Sequence, residues 1–205
     1  MTLVKICGVV DPENARMAAE MGADFLGLNF YPRSPRYVEV ERAREIASAV
    51  RGSGAKLVGV FVNRPVREVQ EIDSEVGLDL LQFSGDESPG DIPFPGRAIK
   101  AFRGTDGTEG WADAWAWLFD APHGSLYGGT GMAWNFHAVA GIAGERRVFV
   151  AGGLGPDNVR QAIAASRPYA VDVCSRVESA PGIKDTELLR QLFEEVRNAQ
   201  SQTPP

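Results

Sequence analysis

Eight short apolar runs alternate along this chain with stretches of helical character, and few folds accommodate that rhythm. The runs cover residues 3–6, 23–30, 56–62, 78–83, 97–102, 116–120, 147–151 and 170–173. Several are apolar at nearly every position, as strands are when both faces of a parallel sheet are covered. The helical stretches carry their own start and stop signals. Asp11 caps the first, Pro12 takes its first helical position and Gly22 ends it, with Ala15, Ala18, Ala19 and Met21 spaced to face inward. Further helices are read over residues 40–50, from 65 to about 77, over 135–143, over 156–165 and over 185–199. Pro89, Pro93 and Pro95 leave little room for a helix after the fourth run. Gly104, Gly107 and Gly110 interrupt the chain after the fifth, where a short helix near 111–114 is the most expected.

Such alternation predicts an α/β fold, a closed (β/α)8 TIM barrel with reduced helices after strands 4 and 5. An open doubly wound sheet would more naturally carry one dominant glycine-rich loop after its first strand, and Cys7-Gly8-Val9 is not a dinucleotide fingerprint. No composition shift or short repeat divides the chain. Residues 1–199 are therefore read as a single barrel domain and 200–205 as a disordered tail.

Composition removes whole classes of function. With 205 residues, 44% hydrophobic and 23% charged, the chain is neither disordered, collagenous nor a coiled coil. A net charge of −6 with no basic run gives no support to a nucleic-acid groove. The separated Cys7 and Cys174 make no disulfide framework or CxxC knuckle, and His123 and His137 are too few for a typical zinc site. No apolar stretch reaches membrane-spanning length. Lys5, Asp11 and Glu13 spoil the only apolar start that could resemble a signal peptide. The expectation is a soluble cytoplasmic protein with reduced thiols.

In a barrel the active site lies at the C-terminal ends of the strands. The polar residues there are Cys7, Asn29, Asn63, Ser84, Asp120, the Gly152-Gly153 turn, and Asp172 with Ser175, and Arg36 sits in the loop after the second strand. Cys7 reads equally as a small buried hydrophobe or as a base or nucleophile whose thiolate is favoured by nearby positive charge. Asp120, after Trp117-Leu118-Phe119, reads as a cap or loop residue, or as an acid whose pKa is raised against aromatic walls. Gly152-Gly153-Leu154-Gly155 before a helix start is either a tight turn or a phosphate cradle, and the barrel context favours the cradle. Tyr127-Gly128-Gly129-Thr130-Gly131 lacks a P-loop ending and suits a lid or a second backbone contact. Arg36 could grip a substrate carboxylate in a forked geometry, whereas Arg33 reads as surface charge. The tryptophans Trp111, Trp115, Trp117 and Trp134 are most simply packing.

These motifs, in order, resemble the phosphoribosylanthranilate isomerase family. The resemblance rests on Lys5-Ile6-Cys7-Gly8, Gly22-Ala23-Asp24, and Phe30-Tyr31-Pro32-Arg33-Ser34-Pro35-Arg36-Tyr37. It continues through Gly59-Val60-Phe61-Val62-Asn63, Gln82-Phe83-Ser84-Gly85-Asp86-Glu87, Leu118-Phe119-Asp120 and the Tyr127-to-Gly131 loop. Ala151-Gly152-Gly153-Leu154, Val171-Asp172-Val173 and Pro181-Gly182-Ile183-Lys184-Asp185 complete it, so it covers nearly the whole chain.

The resemblance implies a (β/α)8 barrel and an Amadori rearrangement in tryptophan biosynthesis. N-(5-phosphoribosyl)anthranilate would become 1-(2-carboxyphenylamino)-1-deoxyribulose 5-phosphate, without metal or cofactor. Cys7 matches the family's base and Asp120 its acid. Arg36 matches the position that holds the anthranilate carboxylate. Gly129, Gly131, Gly152, Gly153, Asp172, Ser175 and Arg176 are the further substrate-binding candidates. The implied partner is that small phosphosugar-anthranilate substrate, with no nucleic acid or membrane, in a monomer or homodimer. Three positions depart from the family's pattern: Ser84 where His is frequent, Met132 where Lys or Arg is common, and Arg176 where Gly is common. Arg176 is expected to lie along the phosphate and to offset Met132, against the plainer reading of a solvent-facing side chain near Glu178. Another phosphosugar aminoaldose isomerase, or a phospholigand-binding barrel without catalysis, are the competing functions. The first would be expected to end its first strand in aspartate, and the second needs neither Cys7 nor Asp120.

Overall fold

Eight parallel strands close into a barrel, each bonded to the next and the last back to the first. They are β1 (Leu3–Cys7), β2 (Phe25–Asn29), β3 (Lys56–Phe61), β4 (Leu80–Phe83), β5 (Ala98–Arg103), β6 (Ala116–Asp120), β7 (Val148–Ala151) and β8 (Ala170–Val173). The structure, a computed structural model, describes residues 1–120 and 136–201, without the side chains of 95 and 136–138. Around the barrel lie α1 (Pro12–Glu20), α2 (Val40–Ala49), α3 (Val66–Val76), α4 (Phe136–Ala143), α5 (Val159–Ser166) and α6 (Thr186–Ser201). No described α-helix stands between β4 and β5 or between β5 and β6; single 3₁₀ turns at Pro89–Asp91 and Pro95–Arg97 take the first of those places. No helix among the described residues is long and apolar enough to cross a membrane.

Period-two alternation sorts every strand into two layers. Outward-facing Ile6, Leu26, Phe61, Leu81, Phe119, Val150 and Val171 pack under the helices as the larger core. Inward-facing Phe25, Val58, Leu80, Ile99, Ala116, Phe149 and Ala170 fill the lower barrel. There Phe25, Trp115, Phe149 and Tyr169 meet edge-on or tilted at centroid separations of 5.3–6.4 Å and plug the N-terminal end. Among the described residues the N-terminal end of the barrel is thus closed to ligand. The first helix forms as its signals dictate: Asp11 Oδ1 accepts from the Glu13 and Asn14 amides at 2.8 and 3.0 Å, and Ala15 and Ala18 are buried.

Four local readings are corrected. Residues 111–114 are a single turn rather than a helix: the Trp111 carbonyl accepts from the Ala114 amide at 3.1 Å and from the Trp117 indole N–H at 2.9 Å, and β6 begins at Ala116. α5 begins at Val159, three residues after Pro156, because the Asn158 side chain first closes a tight turn: its Oδ1 accepts from the Gly155 amide at 2.8 Å and its Nδ2 donates to the Gly153 carbonyl at 2.9 Å. α6 runs on through Gln200 and Ser201, which the sequence assigned to the tail; the Gln200 amide ties it to the Thr2 carbonyl at 2.7 Å. A hairpin of β9 (Glu178–Ala180) and β10 (Ile183–Lys184) was not foreseen, and it presents Glu178 and Lys184 to the mouth of the barrel.

Candidate active site

Above the aromatic plug the inward positions turn polar, and a cavity of about 390 Å³ opens. Cys7, Arg36, Ser84, Asp120, Gly152, Gly153, Asp172 and Ser175 all line it. Most residues chosen as strand ends are therefore brought to one place, together with Arg36 from its loop, whereas Asn29 and Asn63 are not: Asn63 Oδ1 instead accepts from the Asp86 amide at 2.7 Å. Gly129, Gly131 and Met132 lie outside the described residues.

Its floor is an ion pair inside the barrel. Lys5 Nζ donates to both oxygens of Asp172 at 3.0 Å, and the lysine side chain is wholly buried. Burial opposes the ammonium, but Asp172 and Cys7 outweigh it and hold the Lys5 pKa above the ordinary lysine range. Asp172 is thus committed to Lys5 rather than presented whole to a ligand. One alternation step above stands Cys7. A hydrogen bond from Cys174 and the charges of Lys5 and Lys184 bring its pKa down to about 7, against burial and Asp172. Cys174 is pushed up, chiefly by that same hydrogen bond and by burial.

Arg36 is reached by a braced loop. The Asn29 amide donates to Ser34 Oγ at 3.1 Å, and Ser34 Oγ accepts from the Arg36 amide at 3.1 Å. The Arg36 guanidinium is already engaged by a protein carboxylate: Nε lies 2.9 Å from Glu178 Oε1 and Nη2 lies 2.6 Å from Oε2. Lys184 Nζ approaches Glu178 Oε1 at 2.7 Å. Burial raises the Glu178 pKa, but Arg36 and Lys184 more than reverse it and hold it low. Glu178 occupies the Nε side of the fork, and among the described residues no acceptor takes the terminal Nη1–Nη2 edge.

The turn after β7 has the expected backbone. Gly152 and Gly153 have φ of +97° and +61°, a conformation that side-chain-bearing residues adopt at a penalty, and both face the cavity. Arg176, in contrast, turns away. Its Nη2 pairs with Asp157 Oδ2 at 2.7 Å and its Nη1 reaches the Gly153 carbonyl at 3.4 Å, on the outer side of the loop. Neither the cavity nor Glu178 receives it, because Glu178 is taken by Arg36 and Lys184. Arg176→Ala should lower stability by no more than ~1 kcal/mol, as for other exposed pairs. Thermal unfolding and KM at low salt check this: KM should stay within about threefold, under ~0.7 kcal/mol, and a tenfold rise would return the guanidinium to the ligand.

Asp120 stands exposed at the cavity mouth, where the sequence suggested aromatic walls. Alternation explains the difference: Trp117 and Phe119 point outward and pack with Phe102, while Leu118 and Asp120 point inward. Arg103 was missed. It lines the cavity and stands in register with Asp120. Extending the inward series Ile99, Ala101 by one step would have found it. Gln82 was also passed over. Its Nε2 donates to Ser84 Oγ at 3.0 Å, while its buried Oε1 has no hydrogen-bond partner among the described residues. No described group of three or more His, Cys, Asp or Glu is arranged to hold a metal ion.

A sequence profile described as N-(5'phosphoribosyl)anthranilate (PRA) isomerase matches residues 4–195. N-(5'-phosphoribosyl)anthranilate isomerase of Rubrobacter xylanophilus is 44% identical over 200 residues, 93% of this chain and 97% of that protein. Phosphoribosyl anthranilate isomerase of Thermotoga maritima superposes with a TM-score of 0.85 at 33% identity, covering 97% of this chain and all of that one. A phosphoribosyl anthranilate isomerase solved in complex with reduced 1-(o-carboxyphenylamino)-1-deoxyribulose 5-phosphate superposes with a TM-score of 0.82 at 31% identity, covering 97% of this chain and 100% of that chain.

Proposed function

The chain belongs to the N-(5'-phosphoribosyl)anthranilate isomerase family and is an enzyme of tryptophan biosynthesis, and from that premise we propose that Cys7 is its general base and Asp120 its general acid. The observation that carries this reading is their placement on nearly opposite walls of one cavity, on β1 and β6, with Arg36 at the rim. A furanose between them has its ring oxygen towards one wall and its C2 proton towards the other.

The reaction needs both groups. Asp120 protonates the ring oxygen, and the C1–O bond breaks to leave a protonated Schiff base on the anthranilate nitrogen. The Cys7 thiolate then takes the C2 proton, and the C–H electrons move towards nitrogen to form the enolamine. Tautomerisation to the ketone completes the isomerisation, and the proton held by Cys7 returns to Asp120 through water. A thiol with a pKa of about 7 is substantially ionised at neutral pH, as a base must be.

Binding follows from charge. The substrate is an anion twice over, and the cavity presents Arg36 and Arg103 in a chain whose net charge is −6. The Gly152-Gly153 turn and Ser175, after strands β7 and β8, form the phosphate end, with backbone N–H groups as donors. The anthranilate carboxylate takes the outer edge of Arg36, and the orphan Gln82 oxygen accepts from a ribose hydroxyl. Loss of phosphoribosylanthranilate fluorescence, with the substrate generated enzymatically, tests the activity, and an inert protein overturns the reading. Arg36→Ala should raise KM about tenfold or more, ~1.4 kcal/mol, with kcat little changed. An unchanged KM, in a variant that still melts cooperatively, would make Arg36 a partner of Glu178 only.

A further inference from the structure

The two cysteines, 167 residues apart, meet at the seam where the barrel closes. In the β1–β8 register Lys5 faces Asp172 and Ile6 faces Val173, so the next step sets Cys7 against Cys174. Facing residues on parallel neighbours point to the same side, and strands lie ~4.7–4.9 Å apart. That falls within the ~4.4–6.8 Å spacing of Cα atoms joined by a disulfide. A single ammonium fixes both backbones: Lys184 Nζ donates to the Cys7 carbonyl at 2.6 Å and to the Cys174 carbonyl at 3.3 Å. Glycines make room for the sulfurs. A Cβ on Gly27 would stand 2.7 Å from Cys7 Sγ, and one on Gly8 would stand 3.0 Å from Cys174 Sγ. Both cysteines are free thiols, partly exposed, on the wall of the substrate cavity.

We propose that Cys7 and Cys174 are a hydroperoxide-reactive pair that closes to an intramolecular disulfide. The Cys7 thiolate attacks one peroxide oxygen; the O–O bond breaks, an alkoxide or hydroxide leaves and takes a proton from water, and Cys7 becomes a sulfenic acid. The Cys174 sulfur then attacks the Cys7 sulfur, the S–O bond breaks, and water departs with the thiol proton. The peroxide is reduced by two electrons, and each sulfur is oxidised by one. Lys5 and Lys184 favour the attacking thiolate, and the Cys174 sulfur lies 4.0 Å from Glu178 Oε1. A lone Cys7 would pass on to the sulfinic acid; Cys174 intercepts it at a reversible stage. The consequence for activity, and only that, rests on Cys7 being the base.

The test treats the purified protein with hydrogen peroxide and follows thiol count, non-reducing peptide mass and activity together. The expected result is loss of both thiols, one cross-linked pair of peptides carrying Cys7 and Cys174 at a mass lower by two hydrogens, and activity lost in step and restored by dithiothreitol. In Cys174→Ser, each measurement referred to its own untreated sample, oxygen should accumulate on Cys7 and activity should not return. Wild-type protein that keeps both thiols, or gains oxygen on Cys7 without the cross-link, overturns the pair. A cross-link with full activity upholds the pair and instead removes Cys7 from the base role.

Discussion

Cys7→Ala loses ~10²–10⁴-fold in kcat/KM, the range that a positioned base contributes, while the barrel stays folded. Alanine retains the strand, since Cys7 is the last residue of β1 and its carbonyl bond to Lys184 comes from the backbone. What it removes is the group whose proton affinity the site has adjusted. Cys7→Ser keeps nearly the same shape and should be as inactive, because a serine hydroxyl stays protonated where the thiol does not. The wild type supplies the matching pH test. Ionisation of Cys7 should set one limb of the kcat/KM profile of the free enzyme near pH 7, with the proton-donating Asp120 setting the other. Progress curves of substrate fluorescence across pH measure both effects. Turnover by Cys7→Ala at near wild-type rate, or a flat profile between pH ~6 and ~8, would sink the assignment.

The limits of what the sequence disclosed follow from the range of the forces involved. The strands were legible because a barrel strand is covered on both sides, so its apolar run is a local signature. Their ends were blurred by a residue or two, and that small error hid Arg103, one step beyond Phe102. The β9–β10 hairpin, three residues against two, is too short and polar to differ from a loop in sequence. Cys7, Arg36 and Asp120 could be picked out because strand ends are where such a fold does chemistry. Their partners could not. Lys5–Asp172, Arg36–Glu178 and Lys184 with the Cys7 carbonyl each join residues 142 or more apart and exist only once β8 closes on β1. Arg176 was misplaced for a related reason: its position in the last loop was right, but Asp157, 19 residues earlier, decides its direction.

Those closing contacts also bear on how the two sides of the site work. The β1 and β8 side is densely cross-braced by Lys5, Asp172, Lys184, Glu178 and Arg36, so Cys7, the proposed base, sits in a fixed electrostatic setting. Asp120 instead ends its strand in an exposed position at the mouth. A base that must hold a set proton affinity gains from rigidity, whereas an acid that must recover its proton from water gains from access.

Asp120→Asn should therefore reduce kcat by ~10²–10⁴-fold, since an amide has no proton to give to the ring oxygen. The substitution preserves shape, and an exposed strand end carries little of the core, so folding should be untouched. KM should hold, because the amide is neutral like the acid form that gives up the proton, keeps its shape, and leaves Arg103, in register with it, in place. A fall in kcat with KM unchanged is what loss of a transition-state interaction looks like. Steady-state kinetics and binding of the reduced product analogue separate the two quantities. If KM rises while kcat holds, Asp120 is a binding residue, and the proton for ring opening comes from another group at the cavity mouth.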